Sequence, residues 1–193
     1  MRSRFDEQLA QLNREMIEMG AQCEEVIALA SKALTEADMR LAAKVAPLSA
    51  DIDRKEREIE ALCLRLLLQQ QPVARDLRQI SAALKMITDL ERIGDQAEEI
   101  ADIIGFIDGH NPEDYVTLTE MAKAAIHMVT ESIDAYVKHD TILAEKVVDE
   151  DDIVDEYFLQ VKSKLIAKIA KDPDDGEYAL DLLMIAKYFE RIG

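Results

Sequence analysis

The sequence predicts an all-α protein made of two tandem three-helix bundles that are related by an internal repeat. Composition is the first sign: 49% of the 193 residues are hydrophobic but only 5% are aromatic, and Gly and Pro are scarce. Such a chain favours helices and can bury a sizeable core. The second sign is apolar spacing typical of long amphipathic helices. The third is the tetrapeptide Glu91-Arg92-Ile93-Gly94, which recurs at residues 190–193.

The first repeat is predicted over residues 1–110. In its first helix, apolar residues recur at alternating steps of four and three, which indicates packing on partner helices at a shallow angle. Pro47 is expected to kink the second helix or to split off its first turn, because proline lacks a backbone N–H. Pro72 is expected at the first position of the third helix. The three helices are predicted over residues 4–34, 39–68 and 72–108, with a stop formed by residues 108–112.

The second repeat is predicted over residues 111–193. Its first helix can be laid over that of the first repeat at an offset of 102 residues, which aligns Met19 with Met121. Two such repeats most simply pack side by side about a pseudo-twofold axis. The helices are predicted over residues 113–138, 141–171 and from about 177 to the end at 193.

A row of carboxylates in the third predicted helix is the main candidate site. The helical stripe that contains Ile80 and Ile87 continues through Glu91 and Asp95, and then through Glu98 and Asp102. Neighbouring carboxylates one turn apart repel each other unless a cation or a proton intervenes. Oxygen ligands without His or Cys suit hard cations such as Fe3+, Mn2+, Mg2+ or Ca2+. If both repeats present such a face, the protein has two cation sites.

Two further interpretations of the row stay open. Acidic stripes on helices are usually solvated surfaces, and this protein is acidic throughout. The third helix can also be rotated so that its isoleucines are buried and the acids face water in a groove, which still permits a metal. Asp53 and Asp155 occupy matching points of the second and fifth helices and could approach the row. The isoleucines are Ile93, Ile100, Ile104 and Ile107.

Charge and targeting signals restrict the function classes. A net charge of −17 argues against binding to nucleic acid or anionic lipid, because both need clustered Lys and Arg. No apolar run approaches the roughly 20 residues of a membrane span, and the start lacks a hydrophobic signal region. Cys23 and Cys63 fall at apolar helical positions and are expected to be reduced core residues. The expected location is the cytoplasm.

The remaining polar candidates are weaker. His110, His127 and His139 show no spacing that suggests a catalytic pair and are expected on surfaces or loops. The acidic run at residues 149–152 is expected to be a solvated helical turn. Asp76 suits the positive end of the third helix. The flanking arginines, Arg75 and Arg78, are expected to pair with acids of neighbouring helices.

Two segments, residues 70–78 (QQPVARDLR) and 89–95 (DLERIGD), resemble the PhoU family of accessory regulators of bacterial phosphate-specific transport. The resemblance extends over the whole chain, including both Glu-Arg-Ile-Gly elements. It implies a cytoplasmic, non-enzymatic adaptor that negatively regulates the phosphate-starvation response and phosphate uptake. Such proteins act between the ATP-binding subunit of the phosphate importer and a membrane sensor histidine kinase, and they can form homodimers.

The resemblance also implies bound metal ions, with Fe, Mn, Mg or Zn as candidates. By position, the family's E(D)xxxD metal motif corresponds to Glu91 and Asp95 in the first repeat and to Glu190 in the second. The second repeat is expected to be incomplete, because the sequence stops at Gly193 before the next acid of the motif. After the first motif, residues 96–99 (QAEE) replace the family's more usual His-Ala-x-Asn, which adds negative charge.

Two alternatives to the adaptor are considered. One is a carboxylate-bridged metal protein of another function, such as an oxidase or a ferritin-like storage protein. That class usually has Glu-x-x-His motifs, and the sequence contains none. The other is a purely structural helical bundle.

Overall fold

The computed structural model describes residues 2–69, 72–107 and 111–193, and every regular element in those ranges is helical. The predicted all-α class is therefore confirmed. The helices are α1 Arg2–Glu36, α2 Met39–Ala42, α3 Val45–Gln69, α4 Ala74–Ile104, α5 Pro112–Lys138, α6 Thr141–Lys171 and α7 Gly176–Ile192, with a 3-10 turn at Pro173–Asp175 before α7.

Two prolines lie near helix starts where the sequence made specific predictions. Pro47 lies in the first turn of α3, where backbone N–H groups have no intrahelical partner, so the predicted split into a short α2 and a long α3 is confirmed. The prediction that Pro72 opens the third helix is wrong. Val73 has an extended backbone (φ −73°, ψ 163°) and caps α4, and its carbonyl accepts the first helical hydrogen bond from the Leu77 N–H at 3.0 Å.

The third helix is predicted to reach residue 108, but α4 ends at Ile104. Of the predicted stop at residues 108–112, residues 108–110 lie outside the described residues, and Pro112 begins α5.

Matching turns show the internal repeat directly. Ala37 and His139, which are 102 residues apart, both have left-handed backbones, with φ of 50° and 54°. The residue after each is an N-cap: Asp38 accepts a hydrogen bond from the Arg40 N–H, and Asp140 accepts one from the Ile142 N–H. The two repeats therefore turn from their first to their second helix in the same way.

Each repeat forms a three-helix bundle, and the two bundles pack through equivalent helices. α1 packs on α3 and α4, and α5 packs on α6 and α7, while α1 meets α5 and α4 meets α7 across the junction. At this junction α1 and α5 approach closely: a Cβ added to Gly20 would lie only 2.6 Å from Ile133 Cγ1. α3 and α6 are left at the outer sides of the molecule.

The core face of α4 differs from the main sequence prediction. Ile80 and Ile87 of the predicted stripe are buried, but Val73 and Leu77, which the same spacing places on that stripe before them, are exposed. Farther along, the helix buries its hydrocarbon residues instead of its acids, as in the rotated alternative. The buried residues there are Leu90, Ile93, Ala97, Ile100 and Ile104, while Ile107 is half-buried.

Both cysteines are free and buried, as predicted. The Cys23 thiol donates a hydrogen bond to the Leu90 carbonyl at 3.3 Å. Burial raises the pKa of Cys23 to about 12 and that of Cys63 to about 11. Both thiols therefore act as apolar core groups. No helix in the described part of the chain is both long and apolar enough to cross a membrane.

Candidate functional site

The glycine of the repeated tetrapeptide marks a close approach of two helices in each bundle. A Cβ added to Gly94 would lie 3.1 Å from Ser49 Oγ, so α4 comes very near to α3 there. A Cβ added to Gly193 would lie 3.3 Å from Val154 Cγ1, so the end of α7 comes equally near to α6. Acidic residues flank both crossings. The small residue thus sets the spacing at which carboxylates of two helices face each other.

The first carboxylate cluster consists of Asp53 and Glu56 on α3 with Glu91 and Asp95 on α4. Glu91 is half-buried and Asp95 is exposed. Burial raises the pKa of the Glu91 carboxyl above its ordinary value. The negative charge of Asp95 raises it further, followed by those of Glu56 and Asp53. The predicted approach of Asp53 to the acidic row is therefore confirmed.

Positive side chains neutralise the negative charge of this cluster only at its edge. Arg57 forms an ion pair with Asp53 at 2.7 Å along the exposed side of α3. Arg92 weakly lowers the pKa of Glu91 but points toward Asp89, 3.8 Å away. Among the side chains that the structure describes, no basic group lies within ion-pair distance of Glu91 or Asp95. The two motif acids thus keep a net negative charge that an added cation can neutralise.

The second carboxylate cluster consists of Asp151 and Asp155 on α6 with Glu190 on α7. Burial raises the pKa of Asp151, and the charges of Asp155 and Glu190 raise it further. The Glu190 side chain is only 21% exposed. Its Oε2 atom is buried, and it is the oxygen that pairs with the Lys187 ammonium on the same helix. The Asp151 carboxyl therefore lies near enough to feel the charges of both Asp155 and Glu190, as Glu91 feels those of Asp53 and Asp95 in the first repeat.

The second cluster already contains a cation of its own. Lys187 forms an ion pair with Glu190, and its ammonium lies 5.2 Å from the centre of the Phe158 ring. At the offsets that align the helices, Lys187 corresponds to Thr88 and Phe158 corresponds to Glu56. Asp151 corresponds to Ser49, so over these aligned positions the second cluster loses one acid, gains another and gains one lysine, which leaves it with one negative charge fewer.

The donor atoms of the first cluster suit a hard metal ion by type, although among the described residues no three of its carboxylates bring oxygen atoms within 4.8 Å of one another. Its side chains offer only carboxylate oxygens, which Mn2+, Mg2+ and Fe3+ accept readily. Burial raises the pKa of Glu91 most and the neighbouring carboxylates raise it further, and a bound cation would relieve that repulsion. Asp53, Glu56, Glu91 and Asp95 are the residues that would hold it. In the second cluster, Glu190 would have to exchange Lys187 for the metal.

The other predicted site residues lie apart from these clusters. Glu98 is half-buried and Asp102 is exposed farther along α4. Asp76 occupies the first turn of α4, where it suits the positive helix end. The expected pairing of Arg75 and Arg78 with neighbouring acids is wrong for the described part of the chain, because both are exposed and no carboxylate there lies within 4.0 Å of them.

Sequence reasoning missed a third polar group, formed by His127, Glu131 and Glu150. His127 is exposed as expected, but it lies one turn before Glu131 on α5 and faces Glu150 of α6. The acidic run at residues 149–152 is not wholly solvated, since Glu150 and Asp151 are half-buried. The four-residue spacing of His127 and Glu131 was the available signal. Glu150 comes from another helix, so only the packing could add it.

Comparisons with known proteins all lead to one family. The family model described as "PhoU domain" matches the chain twice, over residues 16–104 and 118–193. A phosphate-specific transport system accessory protein PhoU homolog from Aquifex aeolicus is 34% identical over 185 residues, covering 95% of this chain and 84% of the relative. The homolog from Pseudomonas aeruginosa strain PAO1 is 32% identical over 191 residues, covering 98% of this chain and 79% of the relative.

Solved structures show the same similarity. The crystal structure of PhoU from Pseudomonas aeruginosa superposes with a TM-score of 0.91 and 32% identity, covering 97% of this chain and 91% of that one. The phosphate transport system regulatory protein PhoU from Streptococcus pneumoniae superposes with a TM-score of 0.88 and 25% identity, covering 97% and 89%. The tandem arrangement of two three-helix bundles is thus shared over nearly the full length.

Proposed function

The chain belongs to the PhoU family, and on that premise we propose that it is an accessory protein of a phosphate-specific transport system that represses the phosphate-starvation response. It does so by docking to other proteins, without catalysing a reaction. The proposed partners are the ATP-binding subunit of the phosphate importer and the phosphate-sensing membrane histidine kinase. The observation that supports the link to phosphate transport most directly is similarity to the accessory proteins along almost the entire chain.

We further propose that the first carboxylate cluster holds a metal ion that fixes α4 against α3. When bound, such an ion supplies positive charge that cancels the repulsion among the acids. Asp53 and Glu56 then hold one side and Glu91 and Asp95 the other, so the outer surface of the first bundle becomes ordered. Support comes from the absence of any basic partner for Glu91 and Asp95 among the described residues.

The net charge favours partner surfaces rich in Lys and Arg. With 40 acidic and 23 basic residues, the chain attracts basic surfaces and repels acidic ones over distances of about 10 Å. Exposed members of the two carboxylate clusters, such as Asp95 and Asp155, contribute to this charge. This mode of docking predicts association that weakens as salt concentration rises.

The experiment measures binding of the full chain to the purified ATP-binding subunit and to the cytoplasmic part of the kinase, with and without Mn2+. The variant pair Glu91→Gln and Asp95→Asn removes the motif acids. The matched pair Glu98→Gln and Asp102→Asn removes the same charges farther along α4. We expect Mn2+-dependent binding to fall about tenfold for the first pair only, as expected when metal ligands are lost.

A cellular test separates the adaptor role from the metal. In a bacterium that lacks its own accessory protein, the wild-type chain should restore repression of a starvation reporter at high phosphate. Failure to restore repression, together with no binding to either partner, would refute the adaptor role. Equal binding by the two double variants would instead refute the metal's part in docking and leave the adaptor role standing.

A further inference from the structure

A histidine and two glutamates meet between α5 and α6, on a part of the second bundle that the two carboxylate clusters do not include. His127 and Glu131 lie one turn apart on α5, and Glu150 reaches them from α6. His127 Nε2 is 3.5 Å from Glu131 Oε2 and 3.7 Å from Glu150 Oε2. One ligand atom from each residue lies within 4.8 Å of the other two.

These separations fit a single transition-metal ion. Ligands at roughly 2.0–2.2 Å from a tetrahedral zinc ion are about 3.4 Å apart. We propose that His127, Glu131 and Glu150 form a separate binding site for Zn2+ or a similar transition-metal ion. One imidazole nitrogen and two carboxylate oxygens form a donor set that these ions accept, and a fourth position remains for water.

The burial and hydrogen bonding of the Glu150 carboxylate also support a metal site. Its side chain is 17% exposed, but its Oε2 atom is buried and accepts no hydrogen bond from the described residues. A buried carboxylate oxygen without a partner is costly, because burial removes the water that solvates its charge. The oxygen lies on the His127 side of the carboxylate, where the ion would bind. A metal ion there would provide the missing partner.

The internal repeat supports a role specific to the second bundle. At the offset of 102 residues, Glu131 corresponds to Leu29 and Glu150 corresponds to Leu48. Both leucines are partly buried and pack against the core. The first bundle therefore has apolar side chains at this pair of positions. The second bundle carries two acids there, and their burial costs stability unless a cation accompanies them, which is Lys146 in this structure or a metal ion in its place.

Lys146 occupies the site when no metal is bound. Its Nζ donates hydrogen bonds to both carboxylate oxygens of Glu131, at 3.0 and 3.1 Å, and it lies 3.2 Å from Glu150 Oε1. These hydrogen bonds raise the pKa of Lys146, so it remains a cation and cannot act as a neutral ligand. Its side chain is 56% exposed, so it can swing into solvent when an ion enters. The ion then links α5 to α6 in its place.

The test titrates the full chain with Zn2+ against a chromophoric chelator. His127→Gln should lose one equivalent of bound Zn2+, while His139→Asn, which changes an exposed histidine at a left-handed position, should retain it. Lys146→Met should tighten this equivalent by about tenfold, because it removes the competing charge. Lys138→Met, which removes the same charge at the end of α5, serves as the control. Binding of Mn2+ to the carboxylate clusters should be the same in His127→Gln as in the wild type.

A second measurement uses wild-type protein alone. Nitrogen-15 spectra of the imidazole rings should show a large shift of the His127 Nε2 signal with the first equivalents of Zn2+, and none for His139. The proposal is overturned if His127→Gln keeps the wild-type stoichiometry, if the His127 signal does not move, or if Lys146→Met and Lys138→Met bind Zn2+ equally.

Discussion

Gly94 on α4 and Ser49 on α3 approach so closely that a Cβ on the glycine would lie 3.1 Å from the serine Oγ. This contact gives a physical reason for the glycine of the Glu-Arg-Ile-Gly element. Glu91 lies three residues before Gly94, and Asp95 lies next to it. A larger residue at position 94 would move α4 away from α3 and would separate the acids of the first cluster. The same relation holds between Gly193 and Val154 in the second bundle.

Replacing Gly94 should therefore destabilise the first bundle. Gly94→Val inserts three carbon atoms against Ser49 and Ile52, and overpacking of this kind costs about 2 kcal/mol. Urea denaturation of the full chain measures the change in free energy of unfolding.

Gly176 provides the matched control, because a Cβ there would meet nothing within 4 Å. Gly176→Ala should leave stability unchanged or raise it by about 0.5 kcal/mol. An unchanged free energy of unfolding in Gly94→Val would show that the helices do not need this close approach.

A second close contact holds the two bundles together. A Cβ on Gly20 would lie 2.6 Å from Ile133 Cγ1, so Gly20→Ala should lower the free energy of unfolding by about 1–2 kcal/mol despite the better helix propensity of alanine. In an Ile133→Ala background the obstructing atoms are absent. There, Gly20→Ala should stabilise the protein by up to about 1 kcal/mol.

This reversal of sign is measurable as a double-mutant cycle. Identical effects of Gly20→Ala in both backgrounds would contradict the packing of α1 on α5 at this point.

Periodicity predicted the helices well because a chain of about 30-residue amphipathic segments has few other ways to bury its apolar side. It failed on the rotation of α4. Residues of both stripes recur at helical spacing, and only the contacts of α4 with α1, α3 and α7 decide which side of each turn is buried. The alternative with Ile93 and Ile100 inside was consistent with the pattern, and the structure selects it.

The full set of residues in each candidate site was harder to predict from the sequence. Glu91 and Asp95 could be predicted because they are one turn apart on the same helix. Glu56, Asp151 and Glu150 lie on partner helices, and their contribution depends on the register between helices. That register is set by side-chain packing between distant segments, such as Gly94 on Ser49, which no local pattern records.

The first cluster should make stability depend on pH. The pKa of Glu91 is raised in the folded state by burial and by neighbouring acids, from an ordinary value of 4.5. Its favourable contribution is fully present below pH 4.5, where Glu91 is protonated both folded and unfolded. As the pH rises through the folded pKa, that contribution is lost, because the folded protein must then hold a repelled charge.

Glu91→Gln should therefore raise the free energy of unfolding at neutral pH by about 0.5 kcal/mol in the presence of a chelator, the size of a like-charge pair one turn apart. Below pH 4 the gain should vanish. Thermal unfolding at a series of pH values measures it, with Glu98→Gln as the control on the same helix. A gain that grows toward acidic pH would contradict the assigned repulsion.

The lysine in the second cluster should weaken metal binding there. Lys187 pairs with Glu190, so Lys187→Met leaves that carboxylate open to an added ion. Affinity of the second cluster for Mn2+ should rise by about tenfold. Lys123→Met removes a similar pair with Glu120 on α5 and serves as the control. Equal Mn2+ binding in both variants would show that Lys187 does not compete for the site.

Mn2+ binding by the full chain tests the central claim most directly. The claim is that carboxylates brought together where α4 crosses α3 hold a cation. Equilibrium dialysis should show a bound Mn2+ in the wild type and in Glu98→Gln with Asp102→Asn. That ion should be lost when Glu91→Gln and Asp95→Asn are combined. If the Glu91 and Asp95 double variant binds Mn2+ with wild-type stoichiometry and affinity, the first cluster is not a metal site.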